Sequence, residues 1–174
     1  MQRILNNCSL MRVLDVFFQD PHKNYQLREI SRIIKLDHKS VLNHVKKLVK
    51  LKLVKIDTTT LYKSYRADVN DYFKKLKMAS NMIKLKESGL IDYIHENTMP
   101  KAITVFGSYS KGTDRPESDI DIFVDSEERS LELSEFNKKL RRNIHLLFSG
   151  DMSNELKNNL ANGITLTGSL RLFR

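Results

Sequence analysis

The sequence predicts an α+β protein made of two domains and a helix between them. Apolar residues recur at three- and four-residue intervals through most of the first fifty residues, which indicates helices. Two runs rich in β-branched residues follow, at 53–57 and 61–66, and predict a hairpin. Beyond residue 100, short apolar runs alternate with helical patterns, which predicts a small mixed sheet. We place the domains at residues 1–68 and 100–174, with a linker helix over residues 69–99.

Three helices are predicted before the hairpin. The first spans about residues 3–19 and ends at an Asp-Pro pair, and the second spans about residues 25–34. Asp37 can cap the third helix. Apolar residues of that third helix follow one another at helical spacing and form an inward-facing stripe: Val41, Leu42, Val45, Leu48 and Val49.

Residues 69–97 have a strongly helical pattern, in which Gly89 is a point where the helix can bend or split. The sequence Asn-Thr-Met-Pro ends the pattern at residue 100. In the C-terminal domain we predict strands at 102–106, 120–125 and 143–148, with helices near 133–142 and 152–160.

Composition and charge limit what the chain can be. It is 40% hydrophobic and 29% charged, as is typical of soluble globular proteins. No apolar run approaches the roughly 20 residues that cross a bilayer, and the N-terminus lacks the apolar core of a signal peptide. Cys8 is the single cysteine, so we expect no disulfide framework and no zinc cluster. These observations favour a cytoplasmic location and no membrane partner.

The net charge of +9 is concentrated towards the N-terminus. Residues 1–70 contain 14 Lys and Arg against 6 Asp and Glu. Residues 71–100 contain 5 against 4, and residues 101–174 contain 11 of each. A local excess of positive charge indicates a surface that binds a polyanion. We therefore expect the two domains to have different functions.

The order of three helices and a hairpin, together with the segment YQLREISRIIKLDHKSVLNHVKKLVKLKLVKI, resembles winged helix-turn-helix transcription regulators. The resemblance covers about residues 3–68. It implies that the third helix enters the major groove of double-stranded DNA while the hairpin touches the adjacent backbone. Such repressors often pair to read two half-sites, so the helix over residues 69–97 could carry the seam of a homodimer.

Polar residues on the third helix are candidates for contacts with DNA. Asparagine can pair with adenine and lysine with guanine, so residues near the start of the helix are candidate readers of base edges. Other lysines are expected to contact phosphates, which position a protein without specifying sequence. A lysine-rich face can also be merely solvated, and some winged helices bind protein instead. The candidate readers are Lys39, Ser40, Asn43 and His44, and the candidate phosphate contacts are Lys46, Lys47, Lys50 and Lys63.

The segment GSYSKGTDRPESDID at residues 107–121 carries the chemistry of the second domain. Its two aspartates, at i and i+2 on a strand, point to the same face. Hard oxygen ligands there suit Mg²⁺, which is usually held by one or two carboxylates plus substrate phosphates. The glycine allows close backbone approach, and if Ser108 opens a helix, its hydroxyl and amides can hold a phosphate. A phosphate cradle beside a metal pair is the core of a phosphoryl or nucleotidyl transfer site.

The spacing G-S-x10-D-x-D resembles the minimal nucleotidyltransferases of the DNA polymerase beta superfamily, from about residue 101 to the C-terminus. The resemblance implies a nucleoside triphosphate as substrate and Mg²⁺ or Mn²⁺ as cofactor. A surface turn followed by a strand that happens to carry two aspartates is the simpler interpretation. By position, the residues that match the triphosphate contacts are Gly107, Ser108 and Lys111, and those that match the metal ligands are Asp119 and Asp121.

One position departs from that family. The family has a third carboxylate on the next strand, and the matching position here is His145. Imidazole is a poor ligand for Mg²⁺ but suits softer metals such as Mn²⁺ or Zn²⁺. Its unperturbed pKa of about 6.5 would still allow it to act as a general base. His145 could instead occupy a site that has lost turnover, and Asp125 or Asp151 could replace the missing carboxylate.

Two functions are therefore open. The first is a DNA-binding enzyme in which an acceptor hydroxyl of a protein or nucleic acid attacks the α-phosphorus of a nucleoside triphosphate. The second is a non-catalytic winged-helix regulator, or an operator-binding antitoxin, with a degenerate C-terminal domain. Minimal domains of this type resemble those that act with a separate HEPN partner in toxin–antitoxin pairs, where the domain transfers AMP to the toxin.

Overall fold

The computed structural model describes residues 8–58, 62–150 and 152–172, and these form an α+β protein, as predicted. The chain divides into two compact units, and the division falls between Lys74 and Lys75. Within the described ranges, no helix is long and apolar enough to cross a membrane.

The first unit contains three helices followed by a two-stranded hairpin. The strands are antiparallel, with Val54 opposite Ala67. The start of the predicted first helix and the hairpin residues 59–61 lie outside the described residues. The elements are α1 (Ser9–Gln19), α2 (Leu27–Ile34), α3 (His38–Lys50), β1 (Val54–Asp57) and β2 (Ser64–Ala67).

Helix α3 begins at the predicted aspartate cap. Oδ1 of Asp37 accepts a hydrogen bond from the backbone N–H of Ser40 at 2.9 Å. Hydrogen bonds from the side chain and backbone of Ser40 lower the pKa of Asp37. The cap satisfies an amide that has no partner within the helix. Val41, Val45 and Leu48 are buried, and this determines which face of α3 meets solvent.

The residues predicted as a linker form two helices, α4 (Asp71–Ser88) and α5 (Leu90–Thr98). Gly89, between them, has a φ of +83°, a left-handed conformation that glycine adopts at little cost. Apolar residues at the end of α4 and along α5 are buried in the core of the second unit: Leu85, Leu90, Ile91 and Ile94. This stretch is thus part of a folded core as well as a connection.

A four-stranded mixed sheet organises the second unit. β3 is antiparallel to both β4 and β6, whereas β4 and β5 are parallel. The first three strands were predicted, but β6 was not, because its short Ile-Thr-Leu-Thr alternation gains a strand partner only in the folded chain. In the order β5-β4-β3-β6, the strands are β3 (Ala102–Phe106), β4 (Ile120–Val124), β5 (Ile144–Phe148) and β6 (Ile164–Gly168).

Helices cover both faces of the sheet. On one face, Ile103, Val105 and Ile122 pack in a cluster with α5 and with Phe136 of α7 (Ser134–Leu140). On the other face, Phe106 and Phe123 pack with Leu160 of α8 (Asn154–Ala161). Asp121 lies two residues before Phe123 and so shares this second face. A short helix, α6 (Gly107–Lys111), follows β3 directly.

Candidate nucleotidyl-transfer site and basic face

The pairing of three neighbouring strands brings the predicted site residues together. Phe106, the last residue of β3, lies opposite Asp121 in the antiparallel pair. In the parallel pair, Asp121 lies opposite His145. The register therefore places the Gly-Ser pair on one side of Asp121 and His145 on the other, although these residues are far apart in the sequence.

The backbone at Gly107 lies close to a site carboxylate. A Cβ atom built on Gly107 would lie 2.4 Å from Oδ2 of Asp121, well inside van der Waals contact. The φ of Gly107 is +71°, which disfavours residues with side chains. Only glycine lets α6 begin this close to Asp121. Ser108 follows in the first turn of α6, as predicted, and Lys111 is exposed at its end.

Asp121 and His145 form a contact between two titratable side chains. Nδ1 of His145 lies 3.5 Å from Oδ1 of Asp121, and the two side chains are 60% and 30% exposed, respectively. Asp119 is exposed and lies just before β4, on the same nominal face as Asp121. Solvent and a substrate can therefore reach both aspartates.

The two predicted metal ligands suit a cation that is shared with a substrate. No group of three His, Cys, Asp or Glu side chains in the described ranges lies close enough to hold a metal ion by itself. Mg²⁺ is usually bound by one or two carboxylates together with substrate phosphates, so Asp119 and Asp121 match its donor preference. His145 adds a nitrogen donor beside Asp121, which suits Mn²⁺ better than Mg²⁺.

Of the two alternative carboxylates, the structure describes only Asp125. Asp125 follows the end of β4, beyond the buried Phe123, and its Oδ1 accepts a hydrogen bond from Ser149 Oγ at 2.7 Å. The buried phenylalanine separates it from Asp121 along the strand. Asp151 lies outside the described residues.

A buried charge cluster, which the sequence did not predict, holds the loop between the Gly-Ser pair and the aspartates. The side chains of Lys77 and Asp114 are each 1% exposed, and Lys77 Nζ lies 3.2 Å from Asp114 Oδ2. Asn81 Nδ2 donates to Asp114 Oδ1 at 2.9 Å, and Arg142 Nη2 lies 3.3 Å from Oδ2. Burial lowers the pKa of Lys77, and the charge of Asp114 opposes that shift.

The sequence contains a weak signal of this cluster. Lys77 and Asn81 lie eight and four residues before the buried Leu85, respectively, on one helical face. Polar residues on the apolar face of a helix indicate a buried polar partner, but nothing local identifies Asp114, which lies 37 residues after Lys77.

A cleft of about 330 Å³ opens beside Asp119. Because β5 lies next to β4, this cleft is on the side of Asp121 away from the Gly-Ser pair. One wall is the loop at 116–119. The other wall is formed by polar and basic residues at the end of α7 and before β5: Asn137, Lys138, Arg141, Arg142 and Asn143.

Most residues predicted to contact DNA are exposed on the first unit. Lys63 lies at the hairpin, with its ammonium group 5.8 Å from the centroid of the Tyr65 ring. Ser40 is half-buried, and its backbone binds the Asp37 cap. The exposed members are Lys39, Asn43, Lys46, Lys47, Lys50 and Lys63, and we refer to these six residues as the basic face.

His44 is placed differently from the basic face. Its Nε2 atom is 2.8 Å from Oγ of Ser9, in α1. Its Nδ1 atom is buried and has no hydrogen-bond partner among the residues that the structure describes. The physical reason is its position three residues after Val41 and four before Leu48, which puts it at the edge of the inward stripe.

Comparison with known families agrees with the geometry of the second unit. Residues 88–169 match the model of the family described as Polymerase beta, Nucleotidyltransferase. The match includes α5, the four strands and the whole segment from Gly107 to Asp121, and it supports the nucleotidyltransferase part of the resemblance. No curated protein and no solved structure matches the chain.

Proposed function

We propose that the second unit is a metal-dependent nucleotidyltransferase, which transfers a nucleoside monophosphate from a nucleoside triphosphate to a hydroxyl of a protein or nucleic acid. The observation that carries this proposal is the strand register, which aligns Gly107, Asp121 and His145 within the segment that matches the family. Asp119 and Asp121 would hold Mg²⁺ or Mn²⁺. When bound, such an ion neutralises charge on the phosphates and orients them.

In this proposal, four of the predicted site residues have distinct roles. Gly107 allows α6 to lie against the carboxylates. The hydroxyl of Ser108 donates to the triphosphate, and Lys111 adds positive charge. The acceptor oxygen forms a bond to the α-phosphorus, the bond from that phosphorus to the bridging oxygen breaks, and pyrophosphate leaves. His145 is the candidate base for the acceptor proton, since its imidazole lies beside the same carboxylate.

Transfer of label tests the proposal directly. The protein is incubated with α-labelled ATP, GTP, CTP or UTP and Mg²⁺ or Mn²⁺, with and without cell lysate. We expect label on a protein or nucleic acid with the wild type and none with Asp119→Ala/Asp121→Ala. A matched control is Glu127→Ala/Glu128→Ala, which removes the same charge from two exposed residues of the same unit. Intact metal-dependent nucleotide binding by the aspartate double variant would contradict the site assignment.

A second candidate function is a regulator whose C-terminal unit has lost turnover. It is favoured by the imidazole at the position where the family has a third carboxylate. His145→Asp separates the two functions in the same transfer assay. A gain in transfer would indicate a decayed site, whereas a loss would indicate that the histidine has a catalytic role.

We further propose that the first unit is a winged helix that binds double-stranded DNA. Support comes from the basic face, five residues of which lie on α3, and from the hairpin that follows the helix. Selection of a DNA site from a random library, with the purified full chain, tests this proposal. Failure to enrich any sequence, together with no salt-dependent binding to duplex DNA, would overturn it. The homodimer and the HEPN-type partner stay predictions, which sedimentation and co-purification can test.

A further inference from the structure

The loop that joins the Gly-Ser pair to Asp119 is fixed along its backbone. At its start, Thr113 N–H donates to the Ser108 carbonyl at 3.1 Å. In its middle, Arg115 N–H donates to Ser118 Oγ at 2.9 Å, and Ser118 N–H returns a bond to the Arg115 carbonyl at 3.0 Å. Hydrogen bonds within the loop therefore define its backbone conformation up to Ser118, the residue before Asp119.

The buried charge cluster attaches this loop to the rest of the second unit. Lys77 donates to the backbone carbonyl of Asp114 as well as pairing with its carboxylate. Arg142 donates to the carbonyl of Pro116 through Nη1 and contacts Asp114 through Nη2. Asn81 also donates to the carbonyl of Tyr109, in α6, at 3.0 Å. One cluster thus binds α4, α6 and the loop simultaneously.

Asp119 lies between two fixed points. Ser118, just before it, is bonded within the loop. Ile120, just after it, donates its N–H to the Asn143 carbonyl at 2.8 Å. Arg142, next to Asn143, belongs to the charge cluster and also lines the cleft beside Asp119. A change in the cluster would therefore be transmitted to the position of Asp119.

Burying charge for stability alone is an inefficient arrangement. A lysine and a carboxylate removed from water lose hydration, and well-packed apolar residues often replace such pairs without loss of stability. What a fully bonded charge cluster supplies is a defined geometry, because each donor has only one acceptor arrangement that satisfies it.

We propose that Lys77, Asn81, Asp114 and Arg142 are positioning residues that hold the loop at 112–118, and through it Asp119, in the geometry that binds metal and nucleotide. This inference rests on the proposed nucleotidyltransferase function. None of the four residues needs to touch the substrate.

Hydrogen exchange measures the positioning without any metal. We expect Asp114→Asn to speed exchange of amides in 113–120 about 10-fold or more, while amides of β3 and β6 keep their wild-type rates. Arg142→Met is a second, milder variant, since its side chain is 11% exposed and it removes only the contacts to Asp114 and Pro116. It keeps the inference testable if Asp114→Asn does not fold, because Asp114→Asn leaves Lys77 buried without a counter-ion.

Electron paramagnetic resonance of bound Mn²⁺ measures how the position of the loop affects the metal affinity of the site. Substituting residues that orient metal ligands typically weakens metal binding about 10- to 100-fold, and we expect Arg142→Met to fall in this range. Arg141→Met is the matched control, since it removes the same charge from the same cleft, and the Arg141 side chain forms no hydrogen bond or ion pair with the described loop residues. We expect less than about a 3-fold change from it. The double variant Lys77→Met/Asp114→Asn, in which both buried charges are removed, should regain part of its stability but not its manganese affinity.

The outcomes separate this inference from the proposed function. Wild-type protein that binds no Mn²⁺ through Asp119 and Asp121 overturns the proposed function. Unchanged exchange in 113–120 for both Asp114→Asn and Arg142→Met overturns the positioning role. Faster exchange with unchanged Mn²⁺ affinity overturns the link from the loop to Asp119 and leaves the cluster a purely structural feature.

Discussion

The two units of this chain use charged residues in opposite ways. In the first unit, six basic and amide side chains of the basic face lie in solvent. In the second unit, a lysine and an aspartate are each 1% exposed, and an asparagine and an arginine bind the same carboxylate. Exposed charges remain hydrated and mobile, which suits attraction to a polyanion. Buried charges have one geometry, which suits the placement of a few reacting atoms.

The difference predicts that the two units differ in their sensitivity to salt. Contacts between exposed lysines and phosphates release counter-ions, so they weaken steeply as salt rises. Pairs inside the protein are screened much less. Binding by the first unit should therefore depend on ionic strength, whereas the geometry of the loop in the second unit should not.

The largest expected effect comes from removing the lysines at the C-terminal end of α3. Lys46→Ala/Lys47→Ala/Lys50→Ala should weaken binding to the selected DNA about 100-fold or more at 0.1 M salt, because the proposed complex would lose three phosphate contacts. The slope of log affinity against log salt should fall by about 3, which is roughly one per lysine. Fluorescence anisotropy with labelled duplex, repeated over a salt series, measures both quantities.

A control for that prediction removes the same charge from the other unit. Three exposed lysines of the second unit are replaced by alanine, and DNA affinity should change by less than about 3-fold. An equal loss of DNA affinity in both triple variants would show that only the net charge of the protein matters. It would contradict the assignment of DNA binding to the first unit. The control lysines are Lys86, Lys101 and Lys138.

The next largest effect should come from the glycine beside Asp121. Gly107→Ala should destabilise the protein by about 1–2 kcal/mol through its left-handed φ, and the clash with Asp121 should lower nucleotide affinity as well. Gly89→Ala is the matched control, because its φ of +83° is similar but a Cβ there meets no atom within 4 Å. Urea unfolding and nucleotide titration separate strain from crowding. If the two substitutions changed nucleotide affinity equally, the crowding of Asp121 by a Cβ at residue 107 would have no effect of its own on nucleotide binding.

The smallest effect on stability comes from a pair of substitutions that distinguishes two neighbouring residues of α3, Asn43 and His44. Ser9→Ala removes the hydrogen bond to His44 and should cost about 1 kcal/mol of stability, with DNA affinity changed by less than about 3-fold. Asn43→Ala should leave stability unchanged and relax the preference for one base pair, at a cost of about 1–3 kcal/mol in binding. If Ser9→Ala reduced the base preference as much as Asn43→Ala does, His44 would again be a candidate for contacts with base edges.

Several elements could be predicted because the sequence patterns that determine them span only a few neighbouring residues. The stripe of α3 and its Asp37 cap are set by spacings of a few residues, and both are present in the structure. β3, β4 and β5 were predicted within a residue or so at each end. The break at Gly89 was also foreseen, since glycine tolerates the positive φ that separates α4 from α5.

Other features depend on contacts that spacing does not reveal. β6 has a strand partner only because β3 lies beside it. His44 and Asn43 are adjacent in sequence, and only the packing of α1 against α3 decides which of them meets solvent. The stretch that forms the helices at 71–98 was predicted to be a linker, because an apolar stripe on a helix does not identify the core in which it will be buried.

By itself, the sequence determined the chemical character of each half: an excess of lysine and arginine in the first, and a Gly-Ser pair with two aspartates in the second. It also predicted that the two aspartates point the same way, since alternation along an extended chain is a local property, and the structure places Asp121 in β4 and Asp119 just before it. Only the tertiary structure decided that Asp121 lies between Gly107 and His145, and that Lys77 reaches Asp114. The physical reason is that these partners are separated by long stretches of chain, and only the packing of strands and helices into one core brings them together.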